Sequence, residues 1–126
     1  MSPPDTPTRV AILGGGMASL ATAAQLVRQQ ANGGPRCDIT IYQLGLARRR
    51  QGRQRAQYIR ANIDPTERYV LSVARSTATR LKANGSGLGN LVLAGDWTHS
   101  EWNAGCIETA VTTGLNAAAA VSAARP

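Results

Sequence analysis

Three consecutive glycines, Gly14, Gly15 and Gly16, followed by Met17, Ala18 and Ser19, stand between an aliphatic run and a stretch of helical periodicity. The spacing is that of a glycine turn built to receive a pyrophosphate. Gly14 permits the tight turn, Gly16 lets the backbone approach phosphate oxygens, and the helix N-terminus supplies unpaired N–H donors and the positive end of its dipole. Ser19 occupies the place where Gly or Ala is usual, and it is still small enough for the helix to pack closely on the strand. A glycine turn can also merely link a strand to a helix; the complete strand, turn, helix and strand context favours the nucleotide. At the end of the second strand, where a carboxylate ordinarily binds ribose hydroxyls, the residue is Gln43, an amide that hydrogen-bonds without carrying charge.

A second cluster lies near the other end of the chain. Asn90-Leu91-Val92-Leu93-Ala94 is an apolar run that stops at Gly95-Asp96-Trp97, and Asn103-Ala104-Gly105-Cys106 leads into an Ala-rich helical stretch. A strand ending in Gly95-Asp96 sets a carboxylate at the carboxyl edge of a parallel sheet, where hydroxyl-bearing ligands bind, and residues 103–106 can offer backbone N–H groups. The alternative makes Asp96 a turn residue or cap and Trp97 a packing residue. No catalytic residue is assigned. His99 is the only histidine and has no serine or cysteine partner in a nucleophile–base pattern, Cys106 is open to a reactive and to a packing role, and no metal-ligand spacing exists.

These residues need elements to position them. Arg9 to Leu13 reads as a buried strand that stops at the glycines. Met17 to about Gln30 carries Leu20, Ala23, Ala24 and Val27 at helical spacing and meets Asn32, Gly33, Gly34 and Pro35 as stop signals. Asp38 to Leu44, rich in β-branched and aromatic residues, reads as the next strand of a right-handed βαβ unit. Gly45 to Arg60 has no apolar period. Tyr69 to Val73 predicts a strand, Ala78 to Leu81 a second short one, Asn84 to Gly89 a loop, and Leu91 to Ala94 another buried strand. Asn103 to Ala124 then predicts a helix with Ile107, Ala110, Val111, Leu115, Ala118 and Val121 on its period.

At 126 residues the chain has room for one domain, and with 4% aromatic residues and no Phe its core must be built from Ala, Val, Leu and Ile. Its apolar runs fall far short of the roughly 18 residues that span a bilayer, and Met1 to Pro7 lacks the order of a secretory signal, so a cytoplasmic protein without a membrane partner is expected. Cys37 and Cys106 are then reduced thiols. The net charge of +7 is concentrated: Arg48, Arg49, Arg50, Arg53, Arg55 and Arg60 supply six of the fourteen basic residues. That segment reads as a solvated linker, with nucleic-acid phosphates as the disfavoured alternative because Tyr58 is its only stacking aromatic.

The paired motifs, with Ile41 to Gly45 and Asp64 to Ser72, resemble the FAD-dependent amine-oxidase and phytoene-desaturase-like oxidoreductases over roughly residues 9–45 and 60–124. The resemblance implies FAD as cofactor, with Asp96 bonded to the flavin ribityl chain or nearby phosphate region and the following helix N-terminus approaching the flavin ring. It departs at Ala47 to Gln57, where the family has a glycine-rich flavin-contacting segment and then large further domains, so no substrate-binding domain is expected. The fold class that follows is α/β: a truncated, three-layer, Rossmann-like FAD/NAD(P)-binding domain with a mostly parallel sheet, its first and last strands adjoining and both long helices packed on it. Within 1–126 the N-terminal βαβ part occupies 9–45, the Arg-rich linker 46–60, and the C-terminal strands and helix 61–124. The expected function is flavin binding, with the missing part supplied by a second copy or by a domain in trans; the alternative is a non-catalytic nucleotide-binding or interaction module.

Overall fold

A computed structural model describes residues 6–42 and 73–124. The chain opens with strand β1 (Thr8–Leu13), helix α1 (Met17–Ala31) and strand β2 (Cys37–Tyr42). The two strands pair in parallel, from Thr8 opposite Cys37 to Leu13 opposite Tyr42. Backbone bonds continue past both ends of the ladder, Thr8 N–H to the Arg36 carbonyl at 3.0 Å and Gly14 N–H to the Tyr42 carbonyl at 2.7 Å. A parallel pair needs a crossover, and α1 supplies it. Along β1 the period of two is visible: Val10 and Ile12 turn inward while Arg9, Ala11 and Leu13 are exposed. The strand, helix and strand expected over residues 9–42 are therefore present; Gln43 and Leu44, the Arg-rich segment, and residues 69–72 of another expected strand lie outside the described residues.

The C-terminal part departs from expectation at three places. Ala78 to Leu81 is not a strand: Ser76–Thr79 forms a single 3₁₀ turn, entered through Arg75 at φ 68°. The Thr79 hydroxyl donates to the Ser76 carbonyl at 2.8 Å, the kind of local side-chain bond that competes with a ladder. Leu91 to Ala94 joins no sheet among the described residues, where β1 and β2 are the only strands. Its Leu93 N–H goes to the Ala83 carbonyl at 2.8 Å, and the next residue but one, Gly95, gives its N–H to the Thr113 hydroxyl at 3.1 Å, so its donors are divided between a loop and a helix. The last helix, α2 (Ile107–Ala123), begins after Cys106 rather than at Asn103. Asn103 has φ 46°, and it and Ser100 exchange bonds, Asn103 N–H to the Ser100 hydroxyl at 3.0 Å and Ser100 N–H to the Asn103 side-chain oxygen at 3.4 Å. That closed loop delays the helix.

The core is chiefly the seam between the two helices. Ala18, Thr22 and Leu26 of α1 are buried, as are Thr109, Thr113, Gly114, Ala117 and Ala118 of α2. Ile12 adds the contribution of β1, so the buried apolar residues are Ile, Leu and Ala, with threonine in place of valine. Helix α1 touches both strands, whereas α2 packs along α1 and touches neither, contrary to the expectation that both helices lie on the sheet. Among the described residues the sheet has two strands, a seat for one helix, and the small residues of α2 find their complement on α1 instead. A Cβ on Gly114 would meet the Ala18 carbonyl oxygen and stand 2.9 Å from the Ala21 methyl, so the helices approach too closely there for any side chain but hydrogen. The Thr22 hydroxyl lies 2.8 Å from the Ala18 carbonyl of its own helix and 3.0 Å from the Gly114 carbonyl across the seam, which satisfies its polarity where it is buried.

Candidate functional site

The glycine turn takes the shape its sequence demands. Gly14 sits at φ 112°, a conformation that an L side chain rarely adopts, and this bends the chain from β1 into α1. A Cβ there would stand 3.6 Å from the Ser19 hydroxyl oxygen, ordinary contact, so it is the positive φ rather than lack of space that asks for glycine. Gly16 is the N-cap at φ −76° and ψ 177°, and no side chain caps the helix. Leu20 N–H is the first in α1 to find a carbonyl, that of Gly16 at 3.0 Å. The N–H groups of Met17, Ala18 and Ser19 thus point out of the helix end with no partner among the described residues, no acid lies in the first turn, and the space where a Gly16 Cβ would sit has nothing within 4 Å. Anion-compatible donors and room beside them coincide.

The second motif is held by threonines. Gly95 at φ 148° turns the chain away from the apolar run, and a Cβ there would collide with the Trp97 indole, whose Cδ1 would lie 2.7 Å away. The Gly95 N–H donates to the buried Thr113 hydroxyl at 3.1 Å, while the Gly95 carbonyl lies within reach of Thr98 N–H at 3.0 Å, the Thr98 hydroxyl at 2.8 Å and the Thr113 hydroxyl at 3.0 Å. Arg80 donates from Nη1 to the Asp96 carbonyl at 2.7 Å. With its backbone fixed on both sides, Asp96 is half-buried and its carboxylate has no hydrogen bond or ion pair among the described residues. Trp97 is 44% exposed rather than packed away. Thr113, Thr98 and Arg80 were not read as site residues in the sequence. Thr113 carried one signal, its position beside Gly114, because a glycine in a helix interior costs about 1 kcal/mol relative to Ala and asks for a packing reason.

At the start of α2, Cys106 is the N-cap, with its carbonyl accepting from Ala110 N–H at 3.0 Å and its sulfur 3.2 Å from the Thr109 hydroxyl. Glu108 lies in the first turn. Hydrogen bonds from its own backbone N–H and from the Cys106 thiol hold its carboxyl below the ordinary 4.5. The two helix ends are therefore different: that of α2 already has a carboxylate of its own, and that of α1 does not. Asn103, Ala104 and Gly105 form the bend leading to Cys106, so of the residues expected to offer N–H groups only Cys106 belongs to a helix terminus.

The tertiary structure brings the two motifs to one end of the molecule. Gly114 lies against Ala18 near the start of α1, and further along Ser122 donates to Gln29 Oε1 at 2.9 Å, so the helices run side by side in the same direction. Gly95 is held by Thr113, the residue next to the Gly114 that meets Ala18 in the first turn of α1. Because Ala18 is level with Gly114, α2 begins about six residues further out, roughly 9 Å at 1.5 Å per residue. Gln43 lies outside the described residues and follows Tyr42, the last residue of β2. Among the described residues no three metal-capable side chains gather, and no helix is long and apolar enough to cross a membrane.

A strand, glycine turn, helix and parallel strand place the chain in the α/β class, here a small mixed unit of two-stranded sheet and paired helices. The sequence model of the flavin-containing amine oxidoreductases matches residues 60–122, half of the chain, and the chain belongs to that family, whose cofactor is a flavin. No curated protein and no solved structure gives a significant match.

Proposed function

We propose that the N-terminal end of α1, together with the Gly95–Trp97 turn that α2 holds, is an FAD site, and that the chain is a minimal FAD-binding domain of an FAD-dependent oxidoreductase. In this reading Gly14, Gly15 and Gly16 with the first turn Met17, Ala18 and Ser19 receive the pyrophosphate. Gln43 takes the adenosine ribose from its place after β2. Gly95, Asp96 and Trp97 face the ribityl side, and Asn103 to Cys106 approach the ring. The observation that carries the reading is the coincidence at α1 of three N–H groups without a partner among the described residues, an unfilled space beside Gly16, and a Gly95–Asp96 turn bonded through Gly95 to Thr113 of the helix that packs on α1. The residues fit the group: a diphosphate needs donors without a competing acid, and α1 offers them where α2 does not. When bound, FAD supplies the two-electron acceptor for oxidising a donor, and the chain's own residues supply binding and orientation.

The three-layer, mostly parallel Rossmann-like arrangement belongs to the same reading, supported by the parallel β1–β2 pair and by Leu13 and Tyr42 standing exposed where a further layer or strand would cover them. A cytoplasmic setting belongs to the same reading. The test is FAD titration of the 126-residue chain and of Gly16→Val, followed by flavin fluorescence and far-UV circular dichroism. Gly16 has dihedral angles that valine adopts, and nothing lies within 4 Å of the added Cβ, so the variant folds as the parent does. FAD affinity is expected to fall at least about tenfold as the side chain fills the phosphate cradle. Equal affinity in parent and variant, or no uptake by the parent, would sink the proposal.

A further inference from the structure

We propose that the exposed side of α2 carries a second ligand site, separate from the glycine turn, that takes an oxyanion of the phosphate-monoester class. A cavity of about 270 Å³ lies there, lined by Lys82, Ala83, Asn84, His99, Asn116 and Ala120. None of these residues belongs to the glycine turn or to the Gly95–Trp97 segment. Four of the six are polar, and among the described residues no Asp or Glu lines the cavity and the side chains of Lys82, Asn84, His99 and Asn116 have no hydrogen bond or ion pair. An ammonium, an imidazole and two amides together offer more donors than any acceptor near them uses. A tetrahedral phosphate presents oxygens in several directions and can meet donors arriving from three segments, whereas a carboxylate has two coplanar oxygens.

The lining is held in place from behind. His99 lies between Thr98 and Ser100, 1% and 3% exposed, so its exposed side chain extends from an anchored backbone. His99 N–H donates to the Leu81 carbonyl at 2.9 Å and Leu93 N–H to the Ala83 carbonyl at 2.8 Å, which ties the Lys82–Asn84 loop to the segment carrying His99. Gly85 N–H closes that loop on the Lys82 carbonyl at 2.9 Å. Asn116 and Ala120 are one helical turn apart on α2, whose neighbouring Ala117 and Ala118 are buried. Ala83 and Ala120 are small walls that let a ligand approach. The volume is below the ~300–1,000 Å³ of sites for drug-sized ligands, which suits a small phosphate ester.

The test uses the isotopically labelled 126-residue chain titrated at constant ionic strength with inorganic phosphate, methyl phosphate and acetate, following the side-chain amide signals of Asn84 and Asn116. Both phosphates are expected to shift these signals saturably and acetate to do so more weakly. Lys82→Gln and His99→Gln, both at exposed positions, are each expected to keep the far-UV spectrum and to bind phosphate about tenfold more weakly, the scale of one charge-assisted hydrogen bond. Shifts confined to Gly14 through Ser19, acetate binding as well as phosphate, or phosphate shifts at Asn84 and Asn116 that persist unchanged in both variants would each overturn the site. Loss of FAD binding in Gly16→Val bears on the first site alone.

Discussion

Thr113 shows how one buried hydroxyl organises a loop. It accepts from the Gly95 N–H, and its own proton lies between the Gly95 carbonyl at 3.0 Å and the Ala110 carbonyl at 3.1 Å. Thr98 also serves the Gly95 carbonyl, so the N–H is the group that depends on Thr113 alone. Thr113→Val, nearly isosteric, is therefore expected to destabilise the chain by about 1 kcal/mol, the lower end of the cost of an unpaired donor because the Gly95 N–H is only half-buried, while Thr113→Ser stays close to the parent. Urea unfolding of the three proteins measures this, and an unchanged valine variant would mean that water replaces the hydroxyl. Residues of this kind were not legible in the sequence: a threonine on a helical period has the same pattern whether it faces a neighbouring loop or solvent. Gly14 and Gly95 were legible, because positive φ leaves glycine as the residue of choice.

Between the elements, the seam of α1 and α2 sets the positions of both motifs. Helix propensity alone says that Gly114→Ala should stabilise α2 by about 1 kcal/mol. The packing says the opposite, since the new methyl would meet the Ala18 carbonyl oxygen and the Ala21 methyl. Overpacking typically costs about 1–3 kcal/mol, so the expected net effect is destabilisation, together with a weaker FAD site as the helix ends move apart. Thermal unfolding with and without FAD decides between the two effects. The strands and helix of the first 42 residues matched their sequence patterns because each signal there is local: β-branched alternation, glycine turn, helical period and Asn-Gly-Gly-Pro stop. Leu91 to Ala94 carried an equally local strand signal, but a strand needs a partner edge, and its donors went to Ala83 and Gly95's to Thr113.

At the scale of the molecule, large apolar side chains stand exposed among the described residues: Leu13 is 77% exposed, Tyr42, its partner in the β1–β2 register, 57%, Trp102 65% and Ile107 63%. The chain is expected to associate, with a second copy or with a domain in trans, and sedimentation over a range of concentrations should show weight-average mass rising above that of one chain. A constant monomer mass, with no binding of an apolar dye, would overturn that expectation. The sequence by itself determined the βαβ opening, the two glycine motifs and the flavin family, because turns, periods and motif spacings are properties of neighbouring residues. Only the tertiary structure decided that the motifs meet at one end, that α2 rests on α1 rather than on the sheet, and that threonines and Arg80 hold the Gly95–Asp96 turn. The physical reason is that these depend on close approach between residues up to 96 positions apart, such as Ala18 and Gly114, and such approach is fixed by shape and by which backbone groups still lack partners, neither of which is written in any local stretch.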